Sequence, residues 1–158
     1  MKSISNYLTD DHHHCDVLFS NAEEIVAKAD WTESQKEFAR FRGALEHHFT
    51  MEENELFPAI EQQTGGPMGP TQVMREEHTM MRELLQDMAA ALQSEDQEQY
   101  LDLSETLLIM MQQHNMKEEQ ILYPMADQML DNEALITRMN AMEKKETTAS
   151  PADQAASA

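Results

Sequence analysis

Four histidines and two glutamates recur at spacings that could build a metal site: His12, His48 with Glu52, His78, and His114 with Glu118. A histidine and a carboxylate four residues apart on a helix stand one turn above each other and can reach the same side of a bundle. Burying any one of them without a partner costs several kcal/mol. Six converging in one core therefore call for a shared partner, and a metal centre supplies it. Six ligands exceed what one closed tetrahedral zinc site takes. Imidazoles mixed with carboxylates suit iron or manganese, and carboxylates on facing helices can bridge two ions.

The spacing strengthens the case. His12 and His48 lie 36 positions apart, as do His78 and His114. A shift of 66 residues carries His12 onto His78, His48 onto His114 and Glu52 onto Glu118. It also carries Glu53 onto Glu119 and Leu56-Phe57-Pro58 onto Leu122-Tyr123-Pro124. The chain reads as a duplicated helix pair. Following this pseudo-symmetry, one ion takes His12 and His48, the other takes His78 and His114, and Glu52 and Glu118 bridge them.

The elements that must position these residues are helices. Only four Gly and five Pro interrupt a sequence rich in Ala, Leu, Met, Glu and Gln. Breakers and caps predict a first helix over residues 3–28 and a second, capped by Thr32, running to about residue 62. The loop Thr64-Gly65-Gly66-Pro67-Met68-Gly69-Pro70 follows. A third helix over 71–93 and a fourth, capped by Ser94 and ending near 129, complete the set. Each carries an inward stripe at steps of three and four. The stripes are Leu8, His12, Cys15, Phe19, Ala22 and Val26; then Phe38, Phe41, Leu45, His48, Glu52 and Leu56. They continue with Met74, His78, Met81, Leu85, Met88 and Leu92, and then Leu103, Leu107, Met111, His114, Glu118, Ile121 and Met125. The expected architecture is an all-α, antiparallel up-down-up-down four-helix bundle over residues 1–130. A short C-terminal helix over 131–145 and a disordered tail over 146–158 are expected to follow.

Neighbouring residues have simpler readings. His13 and His14 are out of phase with the stripe, and His47 is turned about 100° from His48, at the surface or behind the ligands. Cys15 faces inward as a small core residue. Phe57 and Tyr123 are expected to cap the site as hydrophobic groups. Glu53 and Glu119 either face solvent or orient a ligand histidine. Pro58 and Pro124 should kink or end their helices a turn beyond the ligands. The 14 methionines contain no Met-x-Met cluster and read as core packing rather than a copper site.

A net charge of −19 argues against nucleic-acid and anionic-membrane partners. No apolar run is long enough to span a bilayer and no export signal is evident. The single cysteine fits a reducing cytoplasm.

Over roughly Ile4 to Gln128 the sequence resembles the hemerythrin family, in its bacterial branch named for a His-His-Glu cation-binding motif. The resemblance rests on Asp11-His12 with Leu18-Phe19, on His48-Phe49-Thr50-Met51-Glu52-Glu53, on Glu76-Glu77-His78, and on His114-Asn115-Met116-Lys117-Glu118-Glu119. It implies an oxo- or hydroxo-bridged centre of two iron ions that binds O2, NO or peroxide. Sensing or storage of such a ligand is the function implied first. Redox catalysis with an electron donor, or iron donation to iron–sulfur cluster repair, are the alternatives. Oxygen-carrying members have a second histidine on the third helix, where this chain has Met74 and Arg82. They also have an Asp five residues after the final histidine, where this chain has Glu119.

Overall fold

A computed structural model of the chain describes residues 2–66 and 69–147. Among them every regular element is a helix. Helix α1 spans Ile4–Ala27, and α2 spans Trp31–Met51. A π turn over Glu52–Leu56 carries α2 into α3, Phe57–Thr64. Then come α4, Gly69–Gln93, and α5, Gln97–Lys117. A second π turn over Glu118–Leu122 leads into α6, Tyr123–Met129, and α7 spans Asn132–Thr147. Four long rods result, of which α2–α3 and α5–α6 each contain one π turn.

The caps differ from those the sequence suggested. Asp30, not Thr32, caps α2 by accepting the Glu33 N–H at 3.1 Å. Asp96, not Ser94, caps α5 by accepting the Gln99 N–H at 3.1 Å. A carboxylate at a helix N-terminus satisfies an orphan amide and favours the positive end of the helix dipole. The residues before these caps, Ala29 and Glu95, both turn at positive φ. The second rod runs two residues further than expected, to Thr64, and Gly65 ends it in the left-handed region at φ 90°. Helix α4 starts earlier, at Gly69, so the connection is shorter than the predicted loop. Helix α7 reaches Thr147, past the expected 145. The tail expected beyond it lies outside the described residues.

Pro58 and Pro124 do not end their rods, which run on to Thr64 and Met129. Each sits just after a π turn in which the N–H of Phe57 bonds to the Glu52 carbonyl, and that of Tyr123 to the Glu118 carbonyl. The widened turn makes room for a ring that would clash with a normal i−4 carbonyl. The extra residue also changes the phase of the stripe. After Glu118 the buried positions are Leu122, Tyr123 and Ala126. Ile121 points outward at 61% exposure and Met125 is half-buried, against the 3.6-residue expectation. Earlier on α5, Tyr100 and Ser104 are buried where Leu103 was expected, and Leu103 lies at the edge of the core.

The apolar core is divided by the polar residues. On one side Phe19, Phe38, Phe41, Phe49, Leu85, Tyr100 and Leu107 pack together. On the other side Ile4, Leu8, Leu56, Phe57, Met74, Leu122 and Tyr123 pack with Leu135 and Met139 of α7. Asn132 fixes the start of α7, accepting from the Ile4 N–H at 2.8 Å and donating to the Asp127 carbonyl at 2.9 Å. No helix among the described residues is long and apolar enough to cross a membrane.

Candidate metal centre

His12 on α1, His48 on α2, His78 on α4 and His114 on α5 enter the layer between the two apolar clusters, each from a different rod. Glu52 and Glu118 open the two π turns. All six are at most 2% exposed. They form two overlapping groups whose donor atoms lie within 4.8 Å of one another: His12, His48, Glu52 and Glu118, and Glu52, His78, His114 and Glu118. The two glutamates belong to both groups. Glu52 lies 3.4 Å from His48 Nε2 and 3.0 Å from His78 Nε2. Glu118 lies 3.1 Å from His12 Nε2 and 3.3 Å from His114 Nε2. All six residues singled out from the sequence thus meet in one buried cluster able to hold a metal.

Each imidazole is held from behind by a carboxylate. His12 Nδ1 donates to Glu119 (2.7 Å), His48 Nδ1 to Asp11 (2.8 Å), His78 Nδ1 to Glu53 (2.7 Å) and His114 Nδ1 to Glu77 (2.8 Å). A proton held on Nδ1 leaves the Nε2 lone pair of a neutral ring facing the centre, the arrangement that orients metal-bound histidines. The repeat extends to this shell, because Asp11 corresponds to Glu77 and Glu53 to Glu119. Glu53 and Glu119 therefore orient histidines across the bundle.

Two of these carboxylates are themselves backed by cations. Arg82 holds Glu53 with both nitrogens, at 2.7 and 3.0 Å, and also reaches Glu46. Lys117 pairs with Glu77. Among the described residues no Lys or Arg pairs with Asp11 or Glu119. Arg82 thus supports the His78 side through Glu53, at a position where oxygen-carrying members of the resembled family can hold a second histidine.

The electrostatics follow from burial against pairing. Burial alone would push His48 down, but the Glu52 charge and the Asp11 hydrogen bond hold it well above its ordinary value. The same contest raises His78, and it raises His114 to about 9 through Glu118. Burial would lift Glu52, yet His48, Glu118 and His78 keep it well below the usual carboxylate range. Glu53 is likewise held down to about 2 against burial, by His78 and Arg82. The cluster is built for positive charge between its carboxylates, supplied by protons or by cations.

A cation accounts for a feature that protons alone leave unexplained. His78 Nε2, His114 Nε2, Glu52 Oε1 and Glu118 Oε2 are buried without hydrogen-bond partners. His78 and Glu52 are 3.0 Å apart, yet misaligned for a hydrogen bond. Orphaned buried donors and acceptors are costly and rare. Here they converge on one centre, and nitrogen and carboxylate oxygen are suitable donors for a first-row transition metal.

The surrounding residues sort themselves clearly. His13 and His14 are exposed. His47 is partly buried, and neither of its ring nitrogens has a hydrogen-bond partner. Cys15 is buried in the core, where burial pushes its thiol up to about 12 and makes it a poor nucleophile. Phe57 caps the site as a hydrophobic group, tilted against His78 with ring centroids 5.6 Å apart, while Phe49 stacks on His78 at 4.0 Å. Tyr123 does more than cap, because its hydroxyl lies inside the cluster and donates to Glu52 at 2.5 Å.

The family model described as the hemerythrin HHE cation binding domain matches residues 3–126. Neither the curated proteins nor the solved structures gave a match.

Proposed function

Because the chain belongs to the hemerythrin HHE cation-binding family, we propose that it is a non-haem di-iron protein that binds a small diatomic molecule, O2 or NO, in sensing, storage or a stress response. The orphaned Nε2 atoms of His78 and His114, facing the orphaned oxygens of Glu52 and Glu118, carry this reading. In it His12 and His48 hold one ion, His78 and His114 hold the other, and the two glutamates are shared. The four rods are taken as an antiparallel up-down-up-down bundle. Three-residue links between α1 and α2 and between α4 and α5 support that order.

Bound iron would supply redox-active Lewis-acid positions for a diatomic ligand. The chain supplies the rest. Asp11, Glu53, Glu77 and Glu119 keep four lone pairs turned inward. Phe49 on one side of the layer, and Phe57 with the α7 residues Leu135 and Met139 on the other, exclude water from it. A reducing cytoplasm would keep such a centre able to bind its ligand, and an electron donor would return it to the ferrous state.

The test is to load the protein anaerobically with Fe(II) and follow its optical spectrum as NO and then O2 are added. A stoichiometric change reversed by removing the gas supports binding. Continuous consumption of the gas in the presence of a reductant would replace the binding reading with a redox enzyme. Rapid iron release to an apo iron–sulfur protein would replace it with an iron donor.

A further inference from the structure

The two halves of the centre share one repeat but differ at one position that touches it. Phe57 and Tyr123 are equivalent under the 66-residue shift. Each is fully buried and each directly follows a π turn. Their rings lie over equivalent histidines, Phe57 on His78 at 5.6 Å and Tyr123 on His12 at 5.5 Å. Only Tyr123 adds an oxygen. Its hydroxyl lies 3.1 Å from His12 Nε2, 3.4 Å from His48 Nε2, 3.0 Å from Glu118 Oε1 and 2.5 Å from Glu52 Oε2. These are the four residues of one donor group, and of the other group the hydroxyl meets only the two shared glutamates, not His78 or His114. On the Phe57 side no hydroxyl reaches the centre, and the Nε2 atoms of His78 and His114 lie beside Glu52 and Glu118 at 3.0 and 3.3 Å without a hydrogen bond.

We propose that Tyr123 is a seventh ligand of the centre, binding through its phenolate oxygen to the ion held by His12 and His48. Phe57 then leaves the open position to the other ion alone. The inference rests on the two-ion reading above. Ligands about 2.1 Å from one ion lie roughly 3 Å apart when they are cis to each other, close to the 3.0–3.4 Å the hydroxyl keeps from His12, His48 and Glu118. On ligation the phenol O–H bond breaks, the oxygen–metal bond forms, and the proton leaves to solvent, as in other metal binding to protonated ligands. Glu52 Oε2, which accepts the phenol's hydrogen bond here, would then be free to serve as a ligand.

An apolar recess of about 240 Å³ lies on the Phe57 side. It is lined by Pro70, Val73, Met74, Ile121 and Leu122, together with Lys117. Met74 lies one turn before His78, and Leu122 one turn after Glu118. The recess thus flanks the half that lacks the phenol.

The test uses the full chain loaded with two irons and oxidised in air-saturated buffer. The wild type should show a visible phenolate-to-ferric charge-transfer band with tyrosinate ring modes in resonance Raman, and should take up one azide per chain. Tyr123→Phe, which places in this half the residue the other half already tolerates, should keep two irons, lose the band and ring modes, and take up two azides. Phe57→Tyr should add a second set of ring modes. Two irons without tyrosinate modes, modes that survive Tyr123→Phe, or two azides on the wild type would overturn the assignment and leave Tyr123 a hydrogen-bond donor. A chain that does not bind two irons would overturn the di-iron reading together with this one.

Discussion

Glu53 touches no bound ion in the present account, yet replacing it should weaken metal binding. Its carboxylate accepts from His78 Nδ1 at 2.7 Å while Arg82 grips it from the other side at 2.7 and 3.0 Å. Glu53→Gln keeps the shape but turns one oxygen into a donor. That donor must face either the imidazole N–H or the guanidinium, so one contact of the pair is lost and His78 is free to change tautomer. Replacing the outer partner of a metal-bound histidine typically costs 10–100-fold in affinity, about 1.4–2.7 kcal/mol. Arg82 already draws charge from Glu53, so the loss should fall in the lower half of that range, about 10–30-fold. Glu46→Gln is the control, because Glu46 pairs with Arg82 and touches no histidine; it should change affinity less than about twofold. The assay is anaerobic competition for Fe(II) or Co(II) against a chromophoric chelator. If Glu53→Gln binds metal as tightly as Glu46→Gln, Glu53 does not set the His78 tautomer and the outer carboxylates are not part of the site.

Metal-free protein should lose stability as the pH rises from about 6.5 through 9. His114 is raised to about 9 and gains its pairing energy fully below its ordinary value of 6.5. Iron-loaded protein should show the opposite trend over the same window, since ligands must shed protons; urea midpoints of both forms at pH 6 and 9.5 would reveal it, and parallel trends would contradict it. Asp96→Ala should destabilise the chain by about 1 kcal/mol through loss of the Gln99 N–H partner, read as a lowered denaturation midpoint at unchanged slope. Tyr100→Phe should be neutral or stabilising by up to about 1 kcal/mol, because it removes a buried hydroxyl with no hydrogen-bond partner; a loss above that would show that the hydroxyl has a partner.

The buried layer of histidines and glutamates was legible because two signals coincided at the same residues. Helical phase placed His12, His48, His78 and His114 on apolar stripes, and the 66-residue repeat kept both glutamates with them. The repeat held more than was read from it. Asp30 and Asp96 are equivalent and both cap helices, whereas Thr32 corresponds to Glu98 and so breaks the pattern. Asp11 and Glu77 are equivalent too, each next to a histidine of the buried layer. What no spacing rule gives is the partner across the bundle, since Asp11 serves His48 rather than its neighbour His12. The π turns escaped a 3.6-residue period for the same reason that Ile121 was misplaced: one added residue shifts everything after it. Pro58 and Pro124, at one distance from equivalent glutamates, were their trace in the sequence. The Tyr123 hydroxyl was hidden by its ring, which packs as its partner Phe57 does.

Two ions held in one buried layer through shared glutamates would fix the iron content of each chain. Iron should be counted per chain in protein purified anaerobically from iron-replete cells, beside a His48→Ala/His114→Ala variant whose helicity is checked by circular dichroism. The account predicts about two irons per chain in the wild type and loss of both ions from the folded variant. One ion per chain, or two retained by the variant, would contradict it.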